Sequence, residues 1–160
     1  MRIVVFGGAG WLGRATLTNL ESHGHQVRAF DYTPEAWTAW EDVDGPWEGD
    51  RVYGDIADYA QVEEAVAGCD AVIHVAVWFP KGGEHDRTDE TAFLVNLKGL
   101  WNVLEVSRHA NLRRVVQSPQ ELHVGPGGDN VLQPASNSSL GTTVLARTQK
   151  KPLPCRNREV

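Results

Sequence analysis

Gly7, Gly10 and Gly13 are spaced three apart between the apolar run Ile3-Val4-Val5-Phe6 and a helix-forming stretch from Trp11 to Ser22. A strand that turns at once into a helix needs this composition. Gly7 can take the positive φ of a tight turn, and Gly13 lets the helix lie close against the strand. Gly10 keeps a Cβ out of the way of whatever approaches the turn. The N–H groups at a helix start have no partner inside the helix, and the dipole makes that end positive. The spacing therefore predicts a βαβ unit with a pocket for phosphate charge, and Trp11 and Leu12 fall within it.

A second apolar run ends at Asp31, eighteen residues after the third glycine. At that distance a carboxylate meets the hydroxyls of an adenosine ribose, accepts hydrogen bonds from them and repels a 2′-phosphate. The pair of features predicts dinucleotide binding, with NAD preferred over NADP.

Apolar runs alternate with helix-like stretches from residue 2 to about 125, which predicts a parallel sheet with helices on both faces. Strands are expected near 2–6, 26–30, 51–53, 71–76 and 113–118, and helices over 11–22, 58–67 and 88–109, with a short one at 34–41. The segment from Ala71 to Val77 is nearly all apolar, as a central strand covered on both faces would be. His74 inside it reads as a satisfied core histidine, and Trp37, Trp40 and Trp47 read as a packed aromatic cluster. After Gly125 the apolar periodicity stops and Pro, Gly, Ser and Asn dominate. The predicted architecture is an α/β, doubly wound parallel sheet (Rossmann), incomplete at its C-terminal side. Residues 1–125 form the domain and 126–160 an irregular or disordered basic tail, with room for a short strand within 142–146.

The net charge of −6 is unevenly spread: residues 141–160 carry five basic side chains and one acid, leaving ten basic and twenty acidic residues before them. An acidic body argues against nucleic acid as a partner. Cys69 and Cys155 are too few for a disulfide framework and lack metal-ligand spacing. The chain begins without a signal-peptide pattern and has no apolar run long enough for a membrane span, so a cytoplasmic protein with no membrane partner is expected.

Taken in order, these segments resemble the extended short-chain dehydrogenase/reductases, in their NAD-dependent epimerase/dehydratase branch, over residues 1 to about 125. Gly7-Gly8-Ala9-Gly10-Trp11-Leu12-Gly13 is similar to that family's cofactor turn, and Asp31 to its ribose acid. Gly54-Asp55-Ile56 resembles the segment whose acid and apolar residue hold the adenine; on its own, Asp55 reads as a turn or cap residue. The run Gly68 to Ala76 resembles the fourth strand, whose end, Val75 and Ala76, passes beside the cofactor. Val95-Asn96-Leu97-Lys98-Gly99-Leu100-Trp101-Asn102-Val103-Leu104-Glu105 resembles the long helix bearing the family's active-site Asn, here Asn96; on its own, that residue reads as a helix-surface amide. Lys81, in the next loop, is a candidate for a substrate phosphate or an ordinary exposed lysine.

The resemblance also implies a Tyr-x-x-x-Lys pair, in which the lysine lowers the phenol pKa so that it can exchange a proton with substrate. Here tyrosines occur only at 32, 53 and 59, and none is followed at that spacing by lysine. The family's hydroxyl residue after the fifth strand falls at Gln120, with Ser118 two residues early as the candidate, and His123 is given no role. The sequence thus predicts an NAD-binding domain of an epimerase/dehydratase-type oxidoreductase, truncated before its catalytic helix and substrate domain, whose full-length relatives take a nucleotide sugar or another small molecule. The alternative is a non-catalytic NAD-sensing or partner-binding regulator, and a third reading is a fold that has lost its ligand. Helix 88–109 should leave Leu97, Leu100, Trp101 and Leu104 without cover, which predicts self-association.

Overall fold

A computed structural model describes residues 1–79 and 90–118 and the backbone of 144–145. Five parallel strands, β1 (Arg2–Phe6), β2 (Gln26–Asp31), β3 (Asp50–Tyr53), β4 (Ala71–His74) and β5 (Arg114–Gln117), are joined by β6 (Val144–Leu145). The sheet order is β3-β2-β1-β4-β5-β6, and β6 is antiparallel to β5. The doubly wound parallel sheet is as expected, and the strand foreseen within 142–146 falls at its edge.

Helix α1 (Trp11–Ser22) returns the chain from β1 to β2. A 3-10 helix (Pro34–Trp40) and the short α2 (Glu41–Asp44) follow β2, so the helix expected at 34–41 is wound more tightly and runs further. Helix α3 (Tyr59–Val66) starts at Asp58, whose carboxylate accepts from the N–H groups of Ala60 and Gln61. The long helix expected at 88–109 is described from residue 91 as three pieces: α4 (Thr91–Phe93), a π-helical segment (Leu94–Gly99) and α5 (Leu100–His109). Strand β4 ends at His74, two residues short of the expected span. Residues 75–76 then pass close against Gly7, and the Val75 N–H still bonds to the Phe6 carbonyl at 2.9 Å.

Because strand side chains alternate, the sheet has two cores. Val4, Phe6, Phe30 and Val72 meet Ile56, Val62, Ala65, Val66, Val103 and Val106 on the face covered by α3 and α5. Val5 and Ala29 meet Ala9, Leu17 and Trp37 on the face covered by α1. Trp37 stacks on Trp47 with ring centroids 5.2 Å apart, and the guanidinium of Arg51 lies 4.6 Å from the Trp37 ring centre. Trp40 is exposed, so the expected aromatic cluster holds two of the three tryptophans.

Register places His74 beside Phe6 on β1 and Gln117 on β5, facing the α3/α5 side. It is fully buried, as expected, but neither ring nitrogen finds a partner among the described residues. Burial pushes its pKa down to about 4.

Among the described residues no helix is long and apolar enough to cross a membrane, and no group of three or more His, Cys, Asp or Glu side chains could hold a metal. Cys69 is half-buried, which pushes its thiol pKa up. Lys81, Gln120, His123, Cys155, the boundary at 125 and the basic tail lie outside the described residues.

Candidate dinucleotide-binding site

Parallel strands deliver their C-terminal ends to one edge, and the predicted cofactor residues all emerge there. Gly7 follows β1, Asp31 ends β2, Gly54-Asp55-Ile56 follows β3, and Val75-Ala76 follows β4. Such an edge, at the point where connections leave toward opposite faces, is where open α/β sheets bind ligands.

The glycines divide by what constrains them. Gly7 has φ +85°, and a Cβ there would lie 2.6 Å from the Ala76 backbone nitrogen. A Cβ on Gly13 would lie 2.8 Å from the Gly7 carbonyl carbon and would also strike its oxygen. Both positions are fixed by the protein's own packing. Gly10 differs: its φ is −71°, and a Cβ would meet only the Gly7 oxygen, at an ordinary 3.5 Å. Nothing described inside the protein requires glycine at 10.

Gly10 is also the N-cap of α1, which has no side-chain cap and no acid in its first turn. The Gly10 N–H bonds to the Gly7 carbonyl and the Arg14 N–H to the Gly10 carbonyl, but the N–H groups of Trp11, Leu12 and Gly13 have no acceptor among the described residues. Trp11 and Leu12 are exposed beside them. Three adjacent donors at the positive end of a twelve-residue helix are an arrangement that can accept an anion.

Asp31 borders these donors. One carboxylate oxygen accepts from the Ala9 N–H at 2.8 Å and the other from the Tyr32 N–H at 2.8 Å, while the Gly7 N–H bonds to the Phe30 carbonyl at 2.9 Å. The acid thus ties the glycine turn to the end of β2. Each carboxylate oxygen can accept a further bond, so these contacts leave capacity for a ligand's hydroxyls.

Asp55 makes the turn-stabilising contact, with Oδ1 accepting from the Ala57 N–H at 2.8 Å, while the helix cap is Asp58. Ile56 is buried. Asn96 is no surface amide: it is 9% exposed, its Oδ1 accepts from the Trp78 N–H at 2.8 Å and its Nδ2 donates to the Trp78 carbonyl at 3.0 Å. It therefore fixes the chain leaving β4. The Ser118 N–H donates to the His74 carbonyl at 3.1 Å, which sets that residue at the end of β5 beside β4.

Three further residues hold this edge together, and the sequence alone assigns none of them a role of its own. Gln61 accepts from the Asp55 N–H at 2.9 Å and donates to Asp58 at 2.9 Å; the spacing Asp58-x-x-Gln61 is a capping signature that could have marked it. Lys98 and Asn102 donate to the carbonyls of Ala57 and Ile56, contacts across 41 and 46 positions that no local pattern announces.

The profile of the NAD dependent epimerase/dehydratase family matches residues 3–145. The chain is 32% identical over 133 residues to a 3-beta-hydroxysteroid dehydrogenase of Mycolicibacterium neoaurum, covering 81% of this chain and 35% of that protein. It is 36% identical over 118 residues to a 2-alkyl-3-oxoalkanoate reductase of Stenotrophomonas maltophilia, covering 72% and 32%. Among solved structures, a short-chain dehydrogenase/reductase superfamily protein of Agrobacterium tumefaciens with bound NAD is similar at TM-score 0.60 and 28% identity, over 73% of this chain and 32% of that one. Uronate dehydrogenase from Agrobacterium tumefaciens is similar at TM-score 0.55 and 30% identity, over 74% and 40%. The chain spans about a third of the length of these two curated relatives. By its glycine turn, its strand order and these matches, the chain belongs to the NAD dependent epimerase/dehydratase family.

Proposed function

We propose that this chain binds NAD at the C-terminal edge of its sheet and forms the cofactor-binding part of an oxidoreductase of that family. The carrying observation is the uncapped start of α1, with its three acceptor-free N–H groups beside a glycine that nothing described in the protein requires. The residues present fit the cofactor. Trp11, Leu12 and Gly13 offer backbone donors to the pyrophosphate, Asp31 accepts from the adenosine ribose, and Asp55 with Ile56 borders the adenine. Val75 and Ala76 line the path toward the end of β4, near Asn96 and Ser118. NAD, when bound, supplies a hydride acceptor for the interconversion of an alcohol and a carbonyl. Two of the named relatives are dehydrogenases and one a reductase, and a nucleotide sugar or another small molecule is the substrate class proposed for full-length relatives.

Asp31 carries the proposed preference for NAD, since a 2′-phosphate would face its carboxylate. Calorimetric titration tests this: the wild-type chain should bind NAD more tightly than NADP, and Asp31→Ala should narrow the difference. Equal affinity of the wild type for both would refute the preference.

A second reading is a non-catalytic NAD-sensing or partner-binding regulator. Turnover of a hydroxyl or carbonyl substrate by this chain would decide against it. For self-association we propose a second copy of this chain on the long helix, where Phe93, Leu94, Leu97 and Trp101 are exposed.

A further inference from the structure

The turn from Gly54 to Asp58 lies between β3 and α3, so its carbonyls have no ladder of their own. Within the turn, the Ala57 N–H bonds to Asp55 Oδ1 and the Asp58 N–H to the Asp55 carbonyl. Two of its carbonyls are taken by side chains from the long helix. The amide of Asn102, a fully buried residue, donates to the Ile56 carbonyl at 2.9 Å, and the ammonium of Lys98 donates to the Ala57 carbonyl. Between these two residues Gly99 meets the Ile56 side chain so closely that a Cβ there would lie 2.6 Å from Ile56 Cγ2. The helix therefore holds consecutive peptide groups of the turn from one side.

The π-helical segment bears on this. Leu94–Gly99 contains both Asn96, which clamps Trp78 beyond β4, and Lys98, which reaches the turn beyond β3. A π turn rotates the helix face presented by the residues C-terminal to it, and such turns concentrate at functional sites. Here one short stretch of helix grips the exits of two strands.

We infer that Lys98 and Asn102 are positioning residues for the adenine end of the cofactor, acting through the carbonyls of Ala57 and Ile56 without touching the ligand. The inference rests on the reading above that the chain binds NAD with Asp55 and Ile56 at the adenine. Removing either donor leaves a turn carbonyl unsatisfied and frees Asp55 and Ile56 to shift. The loss falls on any ligand that carries adenine, including one with no nicotinamide.

The test is calorimetric titration of the full chain with NAD and, separately, with AMP. Lys98→Met keeps an unbranched apolar stem, one atom shorter, and removes the donor; it is expected to weaken both ligands by a similar factor, about five- to tenfold. Lys98→Arg, which keeps an N–H donor, is expected to restore most of that loss. A purely structural role would lower the urea midpoint and leave the affinity of folded protein unchanged. Asn102→Leu is expected to act in the same direction, and if it does not fold, the Lys98 pair decides alone. Unchanged AMP affinity in Lys98→Met, or no rescue by Lys98→Arg, overturns the inference while leaving NAD binding intact. A wild-type chain that binds neither ligand overturns the cofactor reading, and this inference with it.

Discussion

Lowering the pH from 7 to 5 should destabilise this protein through His74. The imidazole is fully buried without a hydrogen-bond partner among the described residues, and its pKa falls from 6.5 to about 4. A folded-state pKa below the unfolded value means that the unfolded chain takes up the proton first. The stability contributed by the neutral ring is fully present above pH 6.5, declines as pH falls, and is gone below about pH 4. At about 1.4 kcal/mol per pKa unit the whole window is worth about 3 kcal/mol, of which about 2 kcal/mol is lost between pH 7 and 5. Urea unfolding followed by circular dichroism reads this as a midpoint about 1 M lower at pH 5, given ordinary m-values. His74→Leu, or His74→Gln if the first does not fold, removes the titration, so that part of the decline should vanish. Equal declines in wild type and variant would refute the reasoning, because the lost protons would then belong to other groups.

The glycine turn gives a contrast within one experiment. Gly13→Ala should cost several kcal/mol in urea unfolding, since its Cβ meets the Gly7 backbone, whereas Gly10→Ala should change stability by under about 1 kcal/mol. Asn96→Leu leaves the Trp78 N–H and carbonyl unpaired and should lower stability by about 2 kcal/mol, measured the same way. In sedimentation velocity the chain should show concentration-dependent association that Leu97→Glu with Trp101→Glu removes; a clean monomer for the wild type would contradict it.

The parallel sheet and the start of α1 were legible because their signals are local. Three glycines between an apolar run and a helix leave few conformations, and the observed α1, Trp11–Ser22, has the expected bounds. Asp31 was legible by its distance from them. What escaped depends on contacts between distant segments. His74 sits in an apolar run whether or not its ring is bonded, and only the fold reveals that its neighbours supply no partner. Asn96 is marked in the sequence only by its place in the family pattern, and its bonds to the Trp78 backbone, 18 residues away, come from the fold. Lys98 and Asn102 show nothing in their own neighbourhood, because the carbonyls they hold belong to a turn after β3.

The central claim is that the uncapped start of α1 holds NAD. Its most direct test is calorimetric titration of the full chain with NAD, beside Gly10→Val, whose Cβ meets only the Gly7 oxygen inside the protein and whose side chain is added at the proposed pyrophosphate seat. Saturable heat is expected for the wild type, and for Gly10→Val an unchanged urea midpoint with binding lost. No heat from the wild type, or equal binding by a folded Gly10→Val, would contradict the claim.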